Sequence, residues 1–484
     1  MVLGLFASRI VLQALGETDY GIYNVVGGVV AMFTVVSGAL TTAVTRFITF
    51  EMGKGTSAQL NKVFSTAVNV QLVLCVIIIL LAEPIGLWFI DNQMTIGPER
   101  IPAARLVMHF SLLSFVANLM SVPQMASITA HEKMSAYAYI GLFDGILRLA
   151  AAVTISKATT DRMVLYAALM ALALVLIRCI YGIYCRVNFP ECRFRFIYDK
   201  SLIRQMFSFA GWSFIGTASG VLRDQGGNIL VNVFFGPAVN AARGVAVQLN
   251  GAVQSFITNF MTAVNPQITK SYASGEHSYM FSLMRKSSRM SFYLMLIIAL
   301  PILFNTEQIM SIWLNEVPAH SVSFVRLFLI FTLCESISQP LITSMLATGE
   351  IRNYQIVVGG LQLLNLPISY LCLKLGAAPE STVVVAIVIS QICLTARLLM
   401  LEKMIQLSVK EFIVRVYLNV LMVSAAAIVL PFVISFFLPD GIFWSLLSIM
   451  VSVISAVLSV MFVGCSAGER EELVGFVRNR LRAE

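Results

Sequence analysis

Charge is what this sequence lacks most. Aspartate, glutamate, lysine and arginine together make up 12% of its 484 residues, about half the share of an ordinary soluble domain. Only four histidines occur. The eight cysteines lie scattered at positions 75, 179, 185, 192, 334, 372, 393 and 465, with no CxxC pair among them. Neither a zinc site nor a disulfide framework is therefore indicated. GxxxxGK[ST], HExxH and a GxGxxG opening a helix are all missing. No nucleotide-hydrolysing engine, metal, cofactor or catalytic residue is expected, and the chain does not read as an enzyme.

Apolar runs fill the space that charge leaves. The hydrophobic share is 58% and the mean hydropathy is +0.84. A bilayer core of about 30 Å takes about 20 apolar residues per helix, and runs such as VFSTAVNVQLVLCVIIILLA (63–82) match that length. Backbone polar groups in lipid must be satisfied internally, which leaves helices or a closed barrel. Barrel strands would alternate over about 10 residues, and these runs do not. The expectation is an all-α polytopic membrane protein of about fourteen transmembrane segments. They run from 1–15 and 22–48, through 204–235 and 237–263, to 412–437 and 441–465. The 204–235 segment contains RDQGGN (223–228), which predicts a bend or local unwinding there. The first segment is short and reads as an incomplete helix whose start lies upstream of Met1.

Basic residues set the orientation. Of 33 lysines and arginines, 20 lie on connections after even-numbered segments or on the C-terminal tail, and 5 on the opposite connections. The positive-inside rule puts both termini in the cytoplasm. It also accounts for the net charge of +8 without a nucleic-acid partner. The longest inward connection, 187–203 (VNFPECRFRFIYDKSLI), reads as a linker between an N-terminal lobe (1–186) and a C-terminal lobe (204–401). Two extra helices (402–465) and a cytoplasmic tail (466–484) follow.

The two lobes carry a weak repeat. A shift of 220 places Gly16 on Gly236, Val25 on Val245, Thr42-Ala43-Val44 on Thr262-Ala263-Val264 and Gly55 on Gly275. A shift of 218 places Glu132 on Glu350 and Gly141 on Gly359. Six helices map onto six, so the lobes keep one orientation. Such a parallel repeat predicts a site between lobes near the middle of the bilayer.

Eight arginines fall inside the expected segments: Arg9, Arg46, Arg148, Arg178, Arg223, Arg243, Arg326 and Arg397. A charge at the centre of a spanning helix costs at least about 2.5 kcal/mol and needs a partner or a wet cavity. Arg178, Arg326 and Arg397 lie near helix ends and are expected to snorkel to the interface. Asp144 and Arg148, one turn apart, form a candidate structural ion pair. Arg9, Arg46, Arg223 and Arg243 come from segments that correspond in the repeat. With Asp224, Gln225, Asn228 and Asn232 they suit a cavity for an anion, because guanidinium forks match phosphate oxygens. The alternative for each is anchoring at a helix end or pairing between lobes. Glu335, with Gln339 nearby, reads either as a coupling-ion ligand or as a structural hydrogen-bonding group. His109 reads as a helix-packing residue.

The stretches SRIVLQALGETDYGIYNVVGGVVAMFTVVSGALTTAVTRFITFEMGKG (8–55), FFGPAVNAARGVAVQ (234–248) and NPQITKSYASG (265–275) resemble the Wzx-type polysaccharide flippases of the MOP (MATE-like) superfamily. That resemblance covers nearly the whole chain. It implies two six-helix lobes, often with two extra helices, in a bacterial inner membrane. It also implies translocation of an undecaprenyl-pyrophosphate-linked oligosaccharide to the outer leaflet, with other polysaccharide assembly proteins as partners. Related lipid II flippases carry an arginine in a Ser-Arg context in their first helix, matched here by Ser8-Arg9. Family members have a longer first helix than this chain shows.

Two other classes stay open. A cation-coupled exporter of small molecules would share the fold, but exporters of cations favour carboxylates in the cavity, and here arginines outnumber the buried acids. A membrane-embedded polymerase or glycosyltransferase would bring a large outward loop or a DxD motif. Every outward loop is short and no DxD occurs.

Overall fold

The computed structural model describes residues 2–31, 34–54, 57–92, 94, 96–197, 199–314, 317–435, 439 and 441–471. Among these residues there is no strand. The helices in chain order are α1 (Val2–Ala31), α2 (Thr34–Lys54), α3 (Ser57–Asn92), α4 (Ile101–Ala130), α5 (Met134–Ser156) and α6 (Arg162–Asn188). There follow α7 (Lys200–Ala273), α8 (His277–Phe304), the short α9 (Thr306–Trp313) and α10 (Ser321–Thr348). The last are α11 (Arg352–Lys374), α12 (Ser381–Ile405), α13 (Val409–Ser435) and α14 (Ile442–Ser459).

Among the described residues eleven stretches are long and apolar enough to cross a membrane. The expected count of about fourteen is not reproduced by this measure. The 74-residue α7 counts once although it covers two expected segments, and 1–15 and 22–48 are not among the eleven. Two helices merge in α7 because the chain turns at a single residue, Gly236, with φ 83° and ψ 179°. Pro237 follows, where its fixed φ and missing N–H suit the first position of the next helical run. The expected unwinding at 223–228 is not found: that stretch is helical. Arg223 and Asp224 bond to each other across neighbouring positions of an intact helix, Nε to Oδ1 at 2.9 Å.

The chain forms two compact units, Met1–Thr217 and Ala218–Glu484, so α7 contributes to both. In the first unit small residues let helices approach closely, as van der Waals packing in lipid requires. Ala103, Ala104, Ala117, Ala126 and Ala130 of α4 and Ala167, Ala171 and Ala173 of α6 are buried. Val11 and Ala14 of α1 pack with Ala152 and Ile155 of α5. Asp161 caps α6, its carboxylate accepting from the Met163 and Val164 amides at 3.1 and 3.3 Å. The same carboxylate accepts from Arg100 at 2.7 Å, and Arg100 also donates to Asp19 of α1 at 2.6 Å.

The connection after α6 runs extended along α3. Asn61, Ser65 and Asn69, each one turn from the next, hold its backbone. Asn61 donates to the Glu191 and Arg193 carbonyls at 2.7 and 2.8 Å. The Arg195 amide donates to Ser65 Oγ at 3.1 Å, and Asn69 donates to the Ile197 carbonyl at 2.9 Å. Lys62 closes the row on Asp199 at 2.6 Å. Its hydrogen bond, aided by the Leu202 amide, lowers the Asp199 carboxyl to about 2.

In the second unit a serine ridge replaces alanine. Ser445, Ser448, Ser452, Ser455 and Ser459 of α14 are buried, and Ser455 donates to the Ala427 carbonyl of α13 at 2.8 Å. Tyr293 of α8 donates to Asn419 of α13 and, at 3.1 Å, to the Gly464 carbonyl beyond α14. These bonds tie the two C-terminal spans to α8.

Candidate functional site

Among the described residues, a group of charges within the expected spans lies in the second unit, on either side of the turn in α7. Arg223, Asp224, Gln225 and Asn228 stand before Gly236, and Arg243 stands about two turns after it. The reversal at Gly236 brings the two halves side by side. Arg243 then donates to Asn228 Oδ1 and, at 3.3 Å, to the Asp224 carbonyl. Asn228 in turn donates to Gln225 Oε1 at 3.2 Å. Arg243 is 5% exposed, and its Nε is buried without a hydrogen-bond partner. Asp224 is 63% exposed at its side chain and holds Arg223 in a fork.

The glycines of RDQGGN explain how an arginine fits between helical runs. A Cβ on Gly227 would stand 2.8 Å from Arg243 Nη2, and one on Gly226 would collide with Leu366 of α11. Neither glycine loosens the helix. They make room on its surface.

Phenylalanines of α10 floor the group. The Arg243 guanidinium carbon lies 5.4 Å from the Phe328 ring centroid, and that of Arg223 lies 5.1 Å from Phe331. Cation–π contact of this kind contributes about 0.5–2 kcal/mol, most when desolvated. It holds a guanidinium while leaving its N–H edge for an acceptor. Further along the same face of α10 stand Thr332, Glu335, Ser336 and Gln339. With Gln254, Ile257, Thr258, Met261, Thr262 and Asn265 from the second half of α7 they line a cavity of about 230 Å³. Glu335 and Gln339 stand out in the sequence, whereas the polar row on α7 was missed there. Its four-residue spacing was the available signal.

Arg397 was expected to snorkel at a helix end. It is instead 1% exposed on α12, with Nε and Nη1 unpartnered and Glu335 within electrostatic reach. It lies on the side of α12 that packs against protein, with Tyr354 as a hydrogen-bonding neighbour, which position along a helix does not reveal. Arg326, by contrast, is exposed and donates to Thr306 at 3.3 Å.

The remaining arginines lie elsewhere. Arg46 belongs to the first unit and stacks among Phe50, Phe47 and Phe209, at 4.3, 4.9 and 5.8 Å from their ring centroids. The side chain of Arg9 lies outside the described residues. Arg148 donates to Asp144 at 2.9 Å within α5. His109 sits 3.5 Å from Glu83, and its side chain is 46% exposed rather than packed. No group of three or more metal-ligating side chains occurs among the described residues.

Comparison with known proteins gives two findings. Residues 3–272 match the family described as polysaccharide biosynthesis protein. Solved structures of similar fold include a MATE protein in the straight conformation, with TM-score 0.70, 12% identity, and coverage of 83% of this chain and 92% of that one. An outward-facing multidrug resistance MATE family transporter of the MOP superfamily has TM-score 0.70 at 12% identity, with coverage of 84% and 94%. A MOP superfamily transporter from Pyrococcus furiosus, described by the reverse polarity of its binding pocket, has TM-score 0.70 at 12% identity, with coverage of 82% and 90%. The architecture is the MATE-like polytopic fold. A search of curated proteins finds no match.

Proposed function

This chain belongs to the polysaccharide biosynthesis protein family, and from that membership we propose that it is a flippase for an undecaprenyl-pyrophosphate-linked oligosaccharide. It moves the polar head from the cytoplasmic to the outer leaflet of a bacterial inner membrane by alternating access. The lipid tail stays in the bilayer. Both termini face the cytoplasm, as the 20-to-5 distribution of basic residues supports.

The observation that carries this reading is the pairing of Arg223 and Arg243 over Phe331 and Phe328. Three guanidinium groups, those of Arg223, Arg243 and Arg397, stand against two carboxylates, Asp224 and Glu335, so the group keeps a surplus positive charge. A pyrophosphate offers several acceptor oxygens, and charge-assisted forks to such oxygens are about twice as strong as neutral hydrogen bonds. The Nε of Arg243 is buried and unpartnered, a donor that a phosphate oxygen reaches once the group opens. The exposed Asp224 is the group an incoming phosphate displaces from Arg223. Without a nucleotide-binding motif, the drive comes from an ion gradient, the membrane potential or the substrate gradient.

An exporter of cations would call for a carboxylate surplus in place of this arginine surplus. A transporter of similar fold described by reversed pocket polarity supports the view that this architecture carries pockets of either sign.

The test uses the native host with this gene deleted. The reading expects complete lipid-linked repeat units to accumulate and surface polymer to disappear, with both restored by the gene. Arg223→Ala and Arg243→Ala, expressed at wild-type level, should each lower surface polymer at least about 10-fold. Full restoration by the double variant would overturn the role of the arginines. Unchanged surface glycan in the deletion strain would overturn the flippase reading.

A further inference from the structure

We propose that the cavity between the second half of α7 and α10 is a subsite for one neutral sugar ring, a hexose or N-acetylhexosamine, next to the pyrophosphate. This inference rests on the flippase reading and adds the chemistry of the first sugar.

Size comes first. About 230 Å³ is less than the roughly 300–1,000 Å³ of sites for drug-sized ligands. It holds several waters, at about 30 Å³ each, or one ring. The lining then selects the chemistry. Gln254, Thr258, Asn265, Glu335 and Gln339 supply amides, hydroxyl and carboxylate, while Ile257 and Met261 supply an apolar wall. A pyranose has this mixed character, with a rim of hydroxyls around a C–H face.

The polar groups are arranged to receive a ligand. Thr343 donates to Asn265 Oδ1 at 2.7 Å, which leaves the Asn265 amide hydrogens to donate elsewhere. Thr332 donates to Asn250 at 2.8 Å, which braces the α10 wall against α7. Among the described residues no protein group hydrogen-bonds the head groups of Gln254, Glu335 or Gln339. Polar groups near the middle of a membrane without protein partners are costly unless water or a ligand satisfies them.

Register supplies the link to the phosphate site. Phe331, under Arg223, and the cavity residues Thr332, Glu335 and Gln339 share one face of α10. At 1.5 Å per residue, Glu335 stands about 6 Å and Gln339 about 12 Å along the helix from Phe331. A sugar bonded directly to a phosphate on the arginines falls at that distance. Glu335 is the one charged residue in the lining. Its carboxylate accepts from sugar hydroxyls and repels a uronate, so the ring is neutral.

The test is equilibrium binding to the intact chain in nanodiscs. The probes are geranyl pyrophosphate and geranyl pyrophosphate carrying N-acetylglucosamine, glucose or galactose. Wild type should bind at least one glycosylated probe about 10-fold tighter than the bare one. Gln339→Leu and Thr258→Val should each abolish that gain with the bare affinity retained. Glu335→Gln should abolish it too, and raise the bare affinity by removing a negative charge near Arg223. Melting curves verify folding, and either of the first two variants suffices if the third is unstable. Equal affinity for all four probes in wild type would overturn the subsite and leave the phosphate reading standing. A gain that survives in all three variants would also overturn it. If no probe binds, both readings fall. If Glu335→Gln changes only the sodium or pH dependence of binding, Glu335 serves a cation, and the subsite is overturned.

Discussion

Gly16 and Gly236 hold the same backbone conformation 220 residues apart, φ 75° and ψ 171° in one, φ 83° and ψ 179° in the other. Each interrupts an otherwise continuous helix, α1 or α7. Positive φ with ψ near 180° is territory that essentially only glycine enters. A shared helix-breaking geometry at corresponding positions is far more specific than the residue identities around it. It supports duplication of one helical unit, and in α7 the reversal brings Arg243 back against Asn228.

Replacing Gly236 by alanine should therefore destabilise the fold although its Cβ would meet nothing within 4 Å. The strain is in the backbone and costs about 1–3 kcal/mol. A melting curve in detergent should shift down by a few degrees. Gly244→Ala, in a helical stretch with equal space, should shift it little or upward. Equal shifts for the two would show that backbone strain is not the cause.

Gly227→Ala tests the packing of Arg243 rather than its charge. The new Cβ meets the guanidinium at 2.8 Å, and a side-chain tip can move aside more cheaply than a helix. Protein yield and melting temperature should stay near wild type while restoration of surface polymer falls several-fold. Normal polymer in this variant would mean that the observed position of Arg243 is dispensable.

Much of this was legible in sequence. The apolar runs announce the helices, and the 220-residue offset lands on the glycine turn. Other parts were not, for reasons particular to each residue. RDQGGN reads as a broken helix because glycine and charge weaken helices locally. In the structure Gly227 admits an arginine from 16 residues further on, a contact created by the turn at Gly236. Arg397 reads as an interfacial residue because it stands near a helix end. Which side of α12 faces protein is decided by its neighbours. The α7 half of the cavity is a row of glutamine, threonine and asparagine, residue types that attract less notice than charge.

The contact between α8 and the chain beyond α14 supplies a pH-dependent contribution. Arg289 donates to Glu469 at 2.5 Å, and the Ser466 amide donates to the same carboxylate at 2.9 Å. Burial would raise the Glu469 carboxyl, but the Ser466 bonds and the Arg289 charge outweigh it and hold it below its usual range. A depressed folded value means the contribution is complete above the unfolded value, about 4.3, and fades as the pH falls through the folded one. Glu469→Gln should cost about 1 kcal/mol at pH 7, with the gap from wild type closing below about pH 4.3. A gap that is constant from pH 7 to pH 4 would show that charge is not involved.

The row Asn61, Ser65, Asn69 predicts a protease result. Asn69→Ala removes one of the side-chain hydrogen bonds that fasten the extended connection to α3, and Asn61→Ala removes two. The double variant should be cut by trypsin after Arg193 or Arg195 several-fold faster than wild type, with the helices intact. Equal cutting rates would mean that the connection is held by its ends alone.

Arg397 offers a separation of stability from function. A buried charge whose partner is removed costs about 3–5 kcal/mol, whereas replacing buried charge by well-packed apolar groups is often neutral or stabilising. No carboxylate among the described residues stands within ion-pair distance of Arg397, and two of its guanidinium nitrogens lack partners. Arg397→Met therefore strands no charge, gives up one hydrogen bond with Tyr354, relieves a desolvated cation, and should leave the melting temperature unchanged or higher. Its charge nevertheless reaches Glu335, which faces the cavity. Removing it leaves that carboxylate with Arg223 as its remaining strong counter-charge. Surface polymer restored by Arg397→Met should fall several-fold, and Arg397→Lys should recover part of it. A lower melting temperature with normal polymer would make Arg397 a structural residue. The opposite pair of results requires that the protein keeps an expensive cation in its interior for the sake of transport.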